Sequence, residues 1–201
     1  MADKKLKYQQ KVYAKITRLY DQENKEYHFL RNDTRIIFGN GGRLLGTVIM
    51  SNPGSFEFRN NPDWNDFRKG YGNEDMFESV GTPDPTMINI IKAVEGAYAL
   101  KSNTVPNGYV KILNLSSVRC PNGDGVLEVH SRVEQLLEQK GQCLSILQDP
   151  YVYNESSFKS LCDESNFIIL GFLKNFLNEE ALRVMKWTDI HGAKKKSNCF
   201  E

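Results

Sequence analysis

The sequence predicts one α/β domain over residues 1–201, with three layers: a mostly parallel central sheet, helices on both faces, and an antiparallel N-terminal margin. Three observations predict it. The apolar runs Leu44–Met50, Tyr109–Leu115 and Phe167–Gly171 are of strand length, and segments with helical spacing separate them. Unbroken apolar runs suit strands covered on both faces, and strands alternating with helices suit parallel neighbours. The segment before Phe38 instead alternates apolar and polar positions, as antiparallel strands do.

Taken in order, Val12, Ala14 and Ile16 fall on alternate positions, and Glu26–Leu30 and Arg35–Phe38 add aromatic and β-branched residues. Two or three flanking strands follow from this, with a helix over Leu6–Tyr20 as the rival. Asn40-Gly41-Gly42 punctuates before the central strand Leu44–Met50. The next segment, residues 55–83, is long for a connection and carries Phe56, Phe58, Trp64, Phe67, Tyr71 and Phe77. It reads either as a lid folded over a site or as a satellite core under an Ω-like loop. Asp84 is a good N-cap and Pro85 suits the first helical turn, with Met87, Ile91, Val94 and Tyr98 at helical spacing after them.

Beyond the strand Tyr109–Leu115, a helix carrying Val129, Val133, Leu136 and Leu137 should end at Gly141. A short strand at Leu144–Leu147, a helix capped by Asn154, a buried strand Asn166–Gly171 and a final helix capped by Asn178 complete the reading. Residues 192–201 read as a solvated, flexible tail.

Composition excludes little. With 40% hydrophobic residues, 25% charged residues and a formal net charge of +1, no whole-protein field draws the chain to nucleic acid. No apolar stretch is long enough to span a bilayer and the N-terminus has no secretory pattern, so a soluble cytoplasmic protein with no membrane partner is expected. The four cysteines lack zinc-ligand spacing. Asp63, Asp66, Asp75 and Asp84 match no metal motif either, so neither metal nor cofactor is expected.

The candidate site lies where the central strand breaks into Ser51-Asn52-Pro53-Gly54-Ser55, because α/β sheets gather ligands at the carboxyl ends of strands. Asn52-Pro53-Gly54 is also simply a good turn, and Asn114 could equally serve as a strand-end residue bonding backbone. Asp84 is first a helix cap; a ligand phosphate there would meet Thr86 and free backbone N–H groups.

Four segments carry a resemblance: residues 44–55, with Leu44-Leu45, Ile49-Met50 and the Asn52-Pro53-Gly54-Ser55 turn, then Asp84-Pro85-Thr86, Val110–Leu115, and Phe167–Gly171. In this order they resemble the bacterial and phage family called domain of unknown function 1643, over Leu44 to Gly171. The chain departs from it where members carry R-H-P-L-Y and this one reads His191-Gly192-Ala193-Lys194. The same turn, with Ile112-Leu113-Asn114-Leu115, is distantly similar to two motifs of the uracil-DNA glycosylase superfamily. That resemblance implies a uracil-DNA-glycosylase-like fold in which Asn52 positions a catalytic water and Asn114 reads a flipped base. Phe56, Phe58 or Trp64 would stack on the base, and Pro53, Gly54, Ser55, Asp84 and Thr86 would complete the substrate site.

Two departures bear on turnover. No H-P-S-P-L loop follows Gly171, and Asn52 can orient water but cannot deprotonate it. The sequence thus leaves two function classes. One is a nucleobase, nucleotide or nucleic-acid binding protein, with N-glycosidic hydrolysis as its enzymatic form. The other is a non-enzymatic interaction protein, an inhibitor or sponge with a protein partner, that keeps the scaffold without catalysis. Oligomeric state is not set by the sequence.

Overall fold

A computed structural model describes residues 10–59, 61–120 and 125–192. A six-stranded sheet is built from β1 (Lys11–Asp21), β2 (Glu26–Phe38), β3 (Leu44–Met50), β4 (Met76–Gly81), β5 (Gly108–Asn114) and β6 (Ile168–Gly171), in the order β4-β1-β2-β5-β3-β6. The helices are α1 (Pro62–Arg68), α2 (Pro85–Ser102), α3 (Val126–Gln139), α4 (Pro150–Tyr153), α5 (Glu155–Glu164) and α6 (Asn178–Trp187).

β3, β5 and β6 lie side by side and parallel, as their apolar runs predict. The sheet as a whole is mixed, not mostly parallel, since the pairs β1–β2, β1–β4 and β2–β5 are antiparallel. The reason is continuity. The N-terminal hairpin hydrogen-bonds directly to β5, and the long segment after β3 contributes β4 to the outer edge. β6 is the opposite edge and half exposed, which corrects the expectation of a strand buried on both faces.

One face of the sheet, with Val12, Ile36, Val48 and Ile112, packs on Met87, Ile91 and Val94 of α2 and Trp64 and Phe67 of α1. The other face carries two clusters. Ile49 and Leu113 meet α5 and α6 in one, while Leu19 and Leu30 meet Val133, Leu136 and Leu137 of α3 in the other.

The segment 55–83 is not a bare lid. Asn61 caps α1 by accepting from Asp63 N and Trp64 N, and Pro62 occupies the first turn. Phe58 meets Phe56 and Trp64 edge-on, with ring centroids 5.3 and 5.4 Å apart, and Trp64 stacks on Phe67 at 5.7 Å. Arg18 closes this cluster from β1, donating to the carbonyls of Phe67, Tyr71 and Gly72 at 2.7–3.0 Å.

Two smaller expectations are corrected. Leu144–Ile146 is a 3₁₀ turn, not a strand. Asn178 is the first residue of α6, not its cap, because Leu177 precedes it in the left-handed region at φ 44°. Residues 11–21 form a strand, as their alternating apolar positions predict, and not the rival helix. Asn154 does cap α5, accepting from Ser157 N at 2.9 Å. The proposed tail, apart from Gly192, lies outside the described residues.

A bulge in β2 decides where the site forms. Tyr13 pairs with Arg35 but Lys15 pairs with Asn32, so β2 holds an extra residue there, and Asp33 takes φ 42°. Asp tolerates that conformation, and its carboxylate is forked by Arg35 Nε and Nη2 at 2.8 Å each. Past the bulge β2 pairs anew: Arg31 N bonds Ser117 O and Arg119 N bonds Phe29 O, both at 2.8 Å. Side chains alternate along a regular strand, so positions 31 and 34 would face opposite sides. The inserted residue turns Arg31 toward Phe56, on the same side of the sheet as Ile36 and Ile112.

Candidate functional site

The parallel strands β3, β5 and β6 stop at one level, with Met50 in register with both Asn114 and Gly171. Ser51 ties their ends together. Its carbonyl accepts from Ser116 N at 3.0 Å, and its buried hydroxyl accepts from Leu173 N at 2.6 Å. The turn after β3 and the loop after β6 thereby become walls of a cleft of about 410 Å³. Asn52 and Gly54 line it from the turn, Asp84 and Thr86 from the start of α2, and Arg31, Met50 and Ile112 from the sheet.

Asp84 is buried and both of its oxygens are engaged. Oδ1 accepts from Met87 N at 2.9 Å, capping α2, and Oδ2 accepts from Phe56 N at 3.1 Å, fixing the loop. Gly54 makes room for this carboxylate, because a Cβ there would stand 3.1 Å from Asp84 Oδ2. Asn52 Nδ2 donates to the carbonyls of Pro53 and Cys120 at 3.2 and 3.3 Å, which ties the turn to the loop after β5. Its Oδ1 is not part of either bond.

The polar atoms beneath the cleft are less well served. Arg31 is 3% exposed, yet its Nε and Nη1 have no partner among the described residues. Burial pushes its guanidinium down to about 10, with the Asp84 carboxylate opposing and the Arg119 cation adding to the shift, so it stays charged near neutrality. Thr34, in register with the cleft-lining Ile112, has an unpartnered buried Oγ1. Asn114 is 4% exposed and its Oδ1 is likewise unpartnered. It stands two residues past Ile112, so strand alternation puts it on the face that meets the cleft.

Of the residues singled out in the sequence, Asn52, Gly54, Asp84 and Thr86 line the cleft, and Asn114 lies beneath its strand-end side. Pro53 is buried in the turn, and Ser55 borders a separate small hollow beside Glu57 and Arg59. Phe56 and Trp64 are corrected. Both are fully buried in the aromatic cluster, as is Phe58, so none offers a ring face on which a base could stack. Arg31, Thr34 and Cys120 were missed. A strand arginine reads as a surface residue, and only the run Arg31-Asn32-Asp33 inside β2, which breaks the two-residue period, pointed to a bulge.

His130 Nδ1 and Ser116 Oγ are 2.7 Å apart, the spacing of a base and a nucleophile. Ser116, however, is fully buried and its hydroxyl also accepts from Val118 N, so the pair anchors α3 to the end of β5. Burial lowers the pKa of His130, which keeps its ring neutral there. A larger hollow, about 570 Å³, opens beside Lys11, Arg59, Asp63 and Thr82, but among the described residues no unpartnered buried polar atom stands in its wall. No group of three metal-ligating side chains occurs among the described residues, and none of their helices is long and apolar enough to cross a membrane.

Comparison with family models, with curated proteins and with solved structures finds no match to this chain.

Proposed function

We infer that the cleft binds the base of a nucleotide or of a nucleic-acid strand, on a scaffold similar to that of uracil-DNA glycosylases. The observation that carries this reading is the set of unpartnered buried polar atoms at Arg31, Thr34 and Asn114. Leaving such a group unsatisfied costs about 1–3 kcal/mol, more for a charge, so a water or a ligand is needed to complete it. The guanidinium supplies donors and the Asn114 carbonyl an acceptor, which together match the mixed edge of a nucleobase. The volume of the cleft, about 410 Å³, suits a ligand of that size.

Binding is better supported than turnover. N-glycosidic hydrolysis needs an activated water, and the carboxylate in the cleft wall, Asp84, already accepts two backbone N–H groups. The motif resemblances to domain of unknown function 1643 and to the glycosylases add to the reading through Asn52 and Asn114.

Calorimetric titration of the full chain with nucleosides, nucleotides and short single-stranded oligonucleotides tests it. Saturable binding of a base-containing ligand is the expected result. Absence of binding to every one of them would leave the interaction-protein reading in its place.

A further inference from the structure

We propose that the arginines gathered on Glu57, at the small hollow that shares Asp84 with the cleft, form a phosphate-binding site. The proposal rests on the base-binding reading for its place in the ligand, but its own support is separate. Glu57 faces Arg59 Nε at 3.4 Å, Arg68 Nη1 at 3.1 Å and Arg119 Nη2 at 3.2 Å. One carboxylate therefore meets three guanidiniums. Arg31 stands over the ring of Phe56, the neighbouring residue, and the nearby Asp84 carboxylate is committed to backbone donors. At Glu57 itself, three guanidiniums thus share one carboxylate.

The cluster has a fixed part and a movable part. Arg119, whose side chain is 10% exposed, is held by bonds from Nε to Phe56 O at 3.2 Å and from Nη2 to Ser55 O at 3.4 Å. Arg59 and Arg68 have side chains 70% and 45% exposed and are free to swing toward a ligand. Guanidiniums bind phosphate oxygens through paired, charge-assisted bonds, and a rigid anchor flanked by mobile arms suits a phosphate that arrives with its base. The position fits as well: Glu57 and Arg59 line the small hollow whose wall includes Asp84, which also lines the cleft. Burial lowers the pKa of Arg119, the Glu57 carboxylate opposes that shift, and the fields of Arg68 and Arg59 add to it.

The alternative is that the arginines only staple the loop through Glu57. Titration of inorganic phosphate, a nucleoside, its 5′-monophosphate and a short single strand against three proteins separates the two. The proteins are the wild type, the double variant Arg59→Gln, Arg68→Gln, and Glu57→Gln, each checked for folding by circular dichroism. The monophosphate should bind the wild type about tenfold more tightly than the nucleoside, a gain the double variant loses while its nucleoside affinity is unchanged. Glu57→Gln should tighten phosphate binding, because it removes the competing carboxylate; a mere staple predicts no phosphate response at all.

For the single strand, the slope of log K against log salt should be shallower by about one to two in the double variant. A steeper wild-type slope for the strand than for the monophosphate would make the source a nucleic-acid backbone, and equal slopes a free nucleotide. Equal affinity for nucleoside and monophosphate, or a double variant that binds phosphate like the wild type, would overturn the site. Phosphate binding without nucleoside binding would keep the site and remove the base from the reading.

Discussion

A cation buried as deeply as Arg31, with two nitrogens unpartnered, is costly to keep. Its attraction to the ring of Phe56, 5.6 Å away, offsets only part of that cost. A residue kept for stability alone would be as well served by an apolar side chain of the same length. Arg31→Met should therefore leave the melting temperature unchanged or higher, while affinity for a base-containing ligand falls about 10- to 100-fold, the worth of a bond to a charged group. Loss of stability and retained affinity in that variant would assign Arg31 to the core. Asn114 obeys the same logic with a smaller amplitude. Asn114→Ala removes an acceptor that has no partner among the described residues, so it should weaken binding by about 1–3 kcal/mol with little change in stability. Asn52→Ala should spare affinity more and abolish any hydrolysis, although it also cuts the tie to Cys120 O.

Elements that follow from short-range chemistry were legible in the sequence, and those that depend on a partner across the sheet were not. Asp84-Pro85 announced α2, and the apolar run at Leu44–Met50 gave β3 its bounds, because each signal is local. β4 was hidden, since Met76-Phe77-Glu78-Ser79-Val80-Gly81 alternates only weakly and becomes a strand by pairing with β1. The aromatic residues around it therefore read as a lid. Their packing makes a different prediction. Amides of α1, and those β4 amides bonded to β1, should exchange slowly in the ligand-free protein, and mass-spectrometric hydrogen exchange over residues 56–80 checks this. Trp64→Ala should cost about 3–5 kcal/mol in chemical denaturation, the usual price of a large buried ring, with ligand affinity per folded molecule unchanged. A cost under about 1 kcal/mol would show that the segment is loosely attached.

At the scale of the whole molecule, the mixed sheet was harder to foresee than its parts because each antiparallel pair joins distant segments through backbone bonds that leave no mark on composition. The site was half legible for the same reason: Asn52 and Asp84 sit in local turn and cap signals, whereas Arg31 depends on a register slip between β1 and β2. A long-range charge contact adds to the apolar packing that holds the antiparallel half to α3. Asp21, at the end of β1, receives Arg132 of α3 through Nε at 2.6 Å and Nη2 at 2.7 Å. That fork, together with backbone N–H groups of Asn24 and Glu23, holds the Asp21 carboxyl well below the usual carboxylate range. The direction sets the pH dependence. A carboxylate with a folded pKa below its unfolded value of about 3.9 binds fewer protons when folded, so its contribution is fully present above that value and is lost as pH falls toward the folded pKa. Thermal melts of the wild type and Asp21→Asn should thus differ most above the unfolded value of about 3.9 and converge only as pH falls toward the lowered folded pKa. Arg132→Gln should show the same convergence, since it removes the other half of the contact. A difference that stayed constant down to low pH would mean that the fork contributes packing and not charge, and that the hairpin is held to α3 by Leu19, Leu30 and Val133 alone.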